Sequence, residues 1–173
     1  MSKLIVSPAL ARAVAIVDPK PQLEYLEARF GIPPDTFAGY VVVRPGRKKL
    51  YLVTPDHQPP SHPRPRTIGL PFLRIYGQIP KLSMAAALQF GHAATRNIIE
   101  AEVAQAEAFL TRRDFWARPE QLDRCTGRGY VLVRYRGQTL GVGFLFPEAE
   151  GGRVESLVPK AWARDPGAFK LRL

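Results

Sequence analysis

The sequence predicts an α+β fold in which a mixed α/β domain, residues 1–93, precedes a small β-barrel domain, residues 94–173. Three observations support this prediction. The 173 residues provide room for one large domain or two small ones. Apolar residues follow helical spacing in only a few short segments. Runs of β-branched and aromatic residues, separated by turn-forming residues, occur in both halves.

The N-terminal half begins with a predicted helix and a predicted hairpin. Residues 20–31 place apolar residues at helical spacing up to Gly31, which is a helix-stop signal. The apolar runs 40–43 and 50–53 flank a turn rich in cations, a pattern typical of a β-hairpin. Five prolines between residues 55 and 66 exclude a regular helix or strand, so this segment is predicted to be an exposed loop.

Two further helices are predicted near the domain boundary. Ser83 is a suitable N-cap for a helix that begins at Met84 and ends near Gly91. The segment 68–79 before it mixes glycine, proline and aromatic residues, and is predicted to form an irregular strand and turn rather than a regular element. Residues 101–113 show a clearer amphipathic pattern and are predicted to form the second helix.

The C-terminal half changes to a period of two. Strands are predicted at 130–135, 140–146 and 154–158, followed by a short turn at 159–163 and a closing strand at 169–171. A small barrel is an economical way to bury the apolar faces of such strands.

One predicted strand has an unusual face. Gly141 and Gly143 alternate with residues whose face is fully apolar, so two consecutive positions on the other face lack side chains. Another group is therefore expected to approach the backbone. It is either a neighbouring strand at a barrel corner or the backbone of a nucleic acid.

The chain is strongly basic. It has 25 Lys and Arg against 15 Asp and Glu, a net charge of +10, with +7 in residues 1–86 and +3 in residues 87–173. A polyanion is the natural partner, with nucleic acid favoured over an acidic membrane surface. The single cysteine fits a reducing compartment and predicts a cytoplasmic location. No apolar run approaches the roughly 18 residues of a membrane span, so no membrane insertion is expected.

Little in the sequence indicates catalysis. It lacks a Walker loop, a dinucleotide-binding glycine fingerprint and a His-Glu-x-x-His motif. Two of three histidines lie in the proline-rich loop, where holding a metal is entropically unfavourable. Glu100 and Glu102 are expected to complement a helix dipole. We therefore predict no catalytic residue, metal or cofactor, and retain a small enzyme using Cys125 or His92 as an alternative from another class.

Basic residues supply the candidate binding site. A hairpin tip with several cations presents charge at a density suited to phosphates, although an ordinary soluble turn is the alternative. Cations two residues apart on a strand are expected to project from one face. The candidate RNA contacts are Arg47, Lys48 and Lys49 at the hairpin tip, Arg134 and Arg136 on a strand, and Arg153, Lys160 and Arg164 in the last third.

Two strings in the C-terminal half resemble a known domain. Residues 129–143 read GYVLVRYRGQTLGVG and residues 152–160 read GRVESLVPK. They resemble the PUA domain, named for pseudouridine synthases and archaeosine transglycosylases, as it occurs at the C-terminus of bacterial Sun-family ribosomal RNA cytosine-5 methyltransferases. The order also resembles a small two-domain PUA ribosome-biogenesis factor. Strings similar to the pre-PUA region of those enzymes are FGIP at 30–33, GL at 69–70, AAALQFG at 85–91 and AEAFL at 106–110.

The resemblance implies a pre-PUA domain followed by a PUA-like barrel that binds ribosomal RNA or its precursors. By position, Arg153, Lys160 and Arg164 fall in the region that contacts RNA in PUA domains. Methylation is not implied, because the catalytic domain and its cysteines have no counterpart in the chain. We expect a non-catalytic protein of ribosome biogenesis or RNA modification, with a ribosome-assembly or RNA-modification protein as partner. The alternative is an RNA-reading accessory chain of a separately encoded methyltransferase.

Overall fold

The structure, a computed structural model, describes residues 5–63, 65, 67–77 and 79–163. Within these ranges it contains four α-helices and two five-stranded sheets, which confirms the predicted α+β fold. The predicted closing strand at 169–171 and the candidate contact Arg164 lie outside the described residues. In the described part of the chain, no helix is long and apolar enough to cross a membrane.

The first sheet is an antiparallel meander whose strands neighbour one another in chain order. Its strands are β1 (Ala15–Ile16), β2 (Val41–Arg44), β3 (Lys49–Val53), β4 (Leu70–Tyr76) and β5 (Ile79–Leu82). The accompanying helices are α1 (Pro8–Ala13), α2 (Lys20–Phe30) and α3 (Met84–Phe90). The predicted helix, hairpin and Ser83 cap are confirmed, because Gly31 ends α2 at φ 64° and the Ser83 hydroxyl accepts from Ala86 N.

Both faces of the β2–β3 hairpin are buried. Val42 and Leu52 belong to the main core, whereas Val43 and Tyr51 pack in a second cluster that includes Leu10 of α1. The hairpin strands therefore appear in the sequence as continuous apolar runs rather than as an alternation of polar and apolar residues.

The segment 68–79 contains β4, a turn at Gly77 and the start of β5, so the predicted strand and turn are both present, although β4 is more regular than predicted. Pro71, which suggested the irregularity, and Pro80 beyond it both occupy positions that a sheet tolerates. Pro71 lies beside a register shift between Leu50 and Tyr51 of β3. Pro80 is in β5, which is the edge strand of the sheet.

The second sheet has the strand order β6-β8-β9-β10-β7, with β6 parallel to β8 and every other pair antiparallel. Its strands are β6 (Ile98–Glu100), β7 (Phe115–Ala117), β8 (Gly129–Tyr135), β9 (Gln138–Glu148) and β10 (Gly151–Ser156). Helix α4 (Val103–Leu110) is shorter than the predicted 101–113, because Glu102 caps its start and Arg112 leaves the helix at φ 61°.

Protein groups occupy the space beside the two strand glycines, which contradicts the nucleic-acid alternative. A Cβ at Gly141 would overlap Cε of Met84 in α3, and the sulfur of Met84 accepts from Val142 N at 3.2 Å. A Cβ at Gly143 would lie 2.9 Å from Val154 of the neighbouring strand β10. The bare face of β9 therefore lets α3 and β10 pack closely against the sheet.

Buried residues of both sheets form one continuous cluster that includes Phe30, Leu82, Leu132 and Val142. Hydrogen bonds also join the two halves, since Arg29 at the end of α2 donates through Nε to Tyr130 O at 2.9 Å. Among the described strands, the last strand of the first sheet ends at Leu82 and the first strand of the second sheet begins at Ile98. The two sheets nevertheless share one hydrophobic core.

Asn97 is a buried polar residue at this junction. Its amide nitrogen donates to Arg29 O at 2.5 Å, its oxygen accepts from Thr126 N at 3.0 Å, and its φ is 52°. We expect Asn97→Ala to lower the free energy of unfolding by about 2–4 kcal/mol, through unsatisfied polar groups and a strained backbone. Urea unfolding tests this. Asn97→Gly relieves the backbone strain but does not restore the side-chain hydrogen bonds. If Asn97→Ala lowers the free energy of unfolding by less than about 1 kcal/mol, the structural role assigned to Asn97 is contradicted.

Candidate nucleic-acid interface

The hairpin cations are exposed as predicted. Arg47 and Lys48 lie in the turn that joins β2 to β3, and Lys49 is the first residue of β3. All three side chains are accessible to solvent. Their exposure follows from the local sequence, because Pro45 and Gly46 form a turn whose remaining residues have no apolar group to bury.

Arg134 is placed differently from the prediction. It is 8% exposed and its Nη2 donates to the backbone oxygens of Gly91 and Ala94, so it fastens β8 to the segment after α3. Burial is the main cause that lowers the pKa of its guanidinium, and the nearby Glu100 acts in the opposite direction. This side chain is structural and is not available to RNA.

Arg136 does not share a strand face with Arg134. Strand β8 ends at Tyr135, and Arg136 lies in the following turn at φ 50°. A register shift between Val133 and Arg134 also breaks the alternation on which the prediction depended. The Arg136 guanidinium carbon lies 5.3 Å from the centroid of the Tyr135 ring and the side chain is exposed.

Arg153 forms part of an aromatic cluster on the outer face of the second sheet. It is in register with Trp116 of β7 on one side and with Phe146 of β9 on the other. Its guanidinium carbon lies 4.2 Å from the Phe146 centroid, and its Nη1 is 2.7 Å from Oδ2 of Asp114. An exposed ion pair of this kind contributes little stability, so a phosphate can replace the carboxylate at small cost.

A second arginine completes this surface. The Arg128 guanidinium carbon lies 4.9 Å from the centroid of Phe146 and 5.9 Å from that of Phe144. Trp116 is 45% exposed, and both phenylalanines are partly accessible. We call this surface the aromatic–arginine face; it consists of Trp116, Arg128, Phe144, Phe146 and Arg153.

Lys160 lies beside a separate cavity. It opens a short 3-10 turn that ends at Trp162, whose side chain is 50% exposed. The cavity has a volume of about 280 Å³ and lies between the first sheet, the start of α3 and the segment after β10. Lys49, Arg74, Lys81 and Trp162 are among its lining residues. We call it the basic cavity.

The candidate residues thus occupy three places instead of one. Lys49, next to the hairpin turn, and Trp162, on the short turn that Lys160 begins, both line the basic cavity. Arg153 lies on the aromatic–arginine face. Arg136 lies at the opposite end of strand β9. Sequence reasoning missed Trp116, Phe146 and Trp162. Phe146 lies in an alternating strand whose apolar face was expected to be buried, and the short segments around Trp116 and Trp162 showed no pattern that indicates function. The signals that could have identified them are two cations: Arg153, which is in register with Trp116 and Phe146, and Lys160, which precedes Trp162 by two residues.

Cys125 is a poor nucleophile in this fold. Burial raises the pKa of its thiol to about 11, although the nearby Arg29 acts in the opposite direction. We expect iodoacetamide at pH 7.5 to alkylate Cys125 at least tenfold more slowly in the folded protein than in urea, because the thiolate is the reactive form. Mass spectrometry of the labelled chain measures this, and equal rates would contradict it.

In the described part of the chain, no group of three or more His, Cys, Asp or Glu is placed to hold a metal ion.

Comparison with known proteins defines the class of this domain. Residues 96–164 match the family model described as "Methyltransferase RsmF PUA domain". Residues 96–164 are therefore similar to this PUA domain, and the predicted resemblance of the chain to the Sun-family methyltransferases is confirmed.

Two curated relatives carry the name "Ribosomal RNA small subunit methyltransferase F", one from Aeromonas hydrophila and one from Aeromonas salmonicida. Each is 32% identical to this chain over 152 residues, or 87% of the chain, so the similarity extends beyond the matched domain into the first sheet. The chain spans 29% of the length of these relatives.

Proposed function

We propose that this protein binds RNA through the aromatic–arginine face, that its ligand is ribosomal RNA or a precursor of it, and that it catalyses no reaction itself. The stacking of Arg153 on Phe146 beside the half-exposed Trp116 carries this proposal. Aromatic rings stack on unpaired bases, and guanidinium groups contact phosphates or stack in turn. The second sheet holds these side chains on neighbouring strands, where they do not need to be ordered when RNA binds.

The remaining exposed cations extend the attraction of the surface. Arg47, Lys48, Lys49, Arg136 and Lys160 raise the local concentration of a polyanion near the sheet. We include Arg164, which lies outside the described residues, in this group. Arg134 is excluded because it is buried.

The relatives support the ligand that we propose. Their name states that they act on small-subunit ribosomal RNA, and their similarity to this chain supports ribosomal RNA as its ligand. This assignment would place the protein in the cytoplasm, in ribosome biogenesis or RNA modification. The same names favour a second candidate function, in which this chain presents RNA to a separately encoded methyltransferase; copurification with such an enzyme would support that function.

The salt dependence of RNA binding tests the proposal. With a fluorescent small-subunit ribosomal RNA fragment, we expect the logarithm of the binding constant to fall linearly with the logarithm of salt concentration. Each displaced phosphate counterion contributes about 0.7 to 0.9 to the slope, so contacts from four cations give a slope of roughly −3. Absence of binding at 50 mM salt, or affinity independent of salt, would reject the function.

A further inference from the structure

The basic cavity contains a row of three cations on adjacent strands. Lys49 of β3 is in register with Arg74 of β4, which is in register with Lys81 of β5. Neighbouring strands lie about 5 Å apart, so the row spans roughly 10 Å. Like charges directly opposite each other on a sheet are destabilising. Lys49 and Lys81 take part in none of the ion pairs formed among the described residues. An anion over this row would relieve the repulsion.

The surroundings of Lys81 disfavour its positive charge, so a bound anion would stabilise it. Burial and the charge of Arg74 both lower the pKa of this partly buried lysine, with burial the larger cause, and Glu155 partly opposes them. Glu155 lies on β10 two residues after Arg153, so the two side chains share one face of that strand. Its carboxylate leaves a net positive charge on the row.

The rest of the cavity is mostly apolar. Leu50, Leu73, Leu157 and Pro159 contribute to its lining, and Trp162 lies at the surface on the short turn that Lys160 begins. A volume of about 280 Å³ lies just below the range of roughly 300–1,000 Å³ typical of small-ligand sites. The space suits one small planar group beside an indole ring.

We infer that the basic cavity binds one nucleotide of single-stranded RNA, with its phosphate over the row Lys49–Arg74–Lys81 and its base against Trp162. The inference rests on the proposed RNA-binding function and gives the protein a second contact that recognises an unpaired nucleotide. An acidic peptide would satisfy the cations but would leave Trp162 and the apolar lining uncovered, so the chemistry of the cavity favours a nucleotide.

Tryptophan fluorescence tests this inference in the full chain. The protein has two tryptophans, so Trp116→Phe leaves Trp162 as the reporter. We expect hexaadenylate to quench Trp162 on binding, because adenine stacks on the indole. In the otherwise unaltered chain, Trp162→Ala should weaken hexaadenylate binding by about 5- to 150-fold. Lys81→Gln should weaken it and reduce the salt slope by about 0.7. Lys20→Gln, which removes an exposed cation of α2, should change neither quantity.

The outcomes separate this inference from the function on which it rests. If hexaadenylate does not quench Trp162, or Trp162→Ala and Lys81→Gln leave its affinity unchanged, while the ribosomal RNA fragment still binds, then the cavity is not a nucleotide site and the proposed function stands. If neither RNA binds, both fail. Quenching by polyglutamate as strong as that by hexaadenylate would identify an acidic protein partner and overturn the inference. If Trp162→Ala fails to fold, the affinity and salt slope of Lys81→Gln for hexaadenylate test the inference alone.

Discussion

Phe146→Ala is expected to weaken binding of the ribosomal RNA fragment by roughly 5- to 150-fold, the effect of losing one stacked base. The slope of affinity against salt should not change, because the phenyl ring carries no charge. Arg153→Gln should instead reduce the slope by about 0.7 to 0.9, since one phosphate contact is lost. Fluorescence anisotropy at several salt concentrations measures both quantities.

Matched variants distinguish a binding defect from a folding defect. Phe146→Tyr preserves the stacking surface and should bind nearly as well as the unaltered protein. Phe146 is only partly buried, so Phe146→Ala should keep a melting temperature close to that of the parent. Unchanged affinity in a folded Phe146→Ala protein would show that the aromatic–arginine face is not the RNA site.

Gly151→Ala is expected to lower the free energy of unfolding by about 3 kcal/mol or more. The residue has φ 125°, which side chains rarely adopt, and a Cβ there would overlap the backbone oxygen of Ala117 and lie 2.8 Å from Nε1 of Trp116. Because the obstacle is the backbone of β7, the sheet can accept the methyl group only by loosening the β7–β10 pair. Urea unfolding measures the loss.

Gly39→Ala is the matched control, since a Cβ at that position would meet no atom within 4 Å. It should change the free energy of unfolding by about 0.5 kcal/mol or less. Gly151→Ala should also weaken RNA binding at temperatures where it is folded, because it displaces Trp116. Equal stabilities for the two variants would contradict the role assigned to Gly151.

Much of the fold could be predicted because several signals were local. Gly31 ends α2, Ser83 caps α3, and the β2–β3 and β8–β9 hairpins follow turns that the sequence marks clearly. Strands β6 and β7 could not be predicted, because three residues are too few to show a period and both strands depend on partners distant in the sequence. The domain boundary at residues 93 and 94 stays a prediction.

The candidate site was harder to predict, because alternation along a strand does not reveal which parts of a face are covered. The face of β9 that carries Val142, Phe144 and Phe146 suggested an entirely buried surface. Val142 is buried, but Phe144 and Phe146 are partly exposed. The same limit applies to cations, since the spacing of Arg134 and Arg136 could not reveal the register shift and turn that separate them.

The hydrophobic core common to the two sheets affects how the chain matures on the ribosome. The first sheet is synthesised before β8 and β9, so apolar side chains that share a cluster with those strands, including Phe72 and Leu82, lack part of their final packing until the hairpin has emerged. Nascent chains with such surfaces are prone to aggregation. A variant that delays docking of the late hairpin would therefore reduce the yield of folded protein before it altered equilibrium stability.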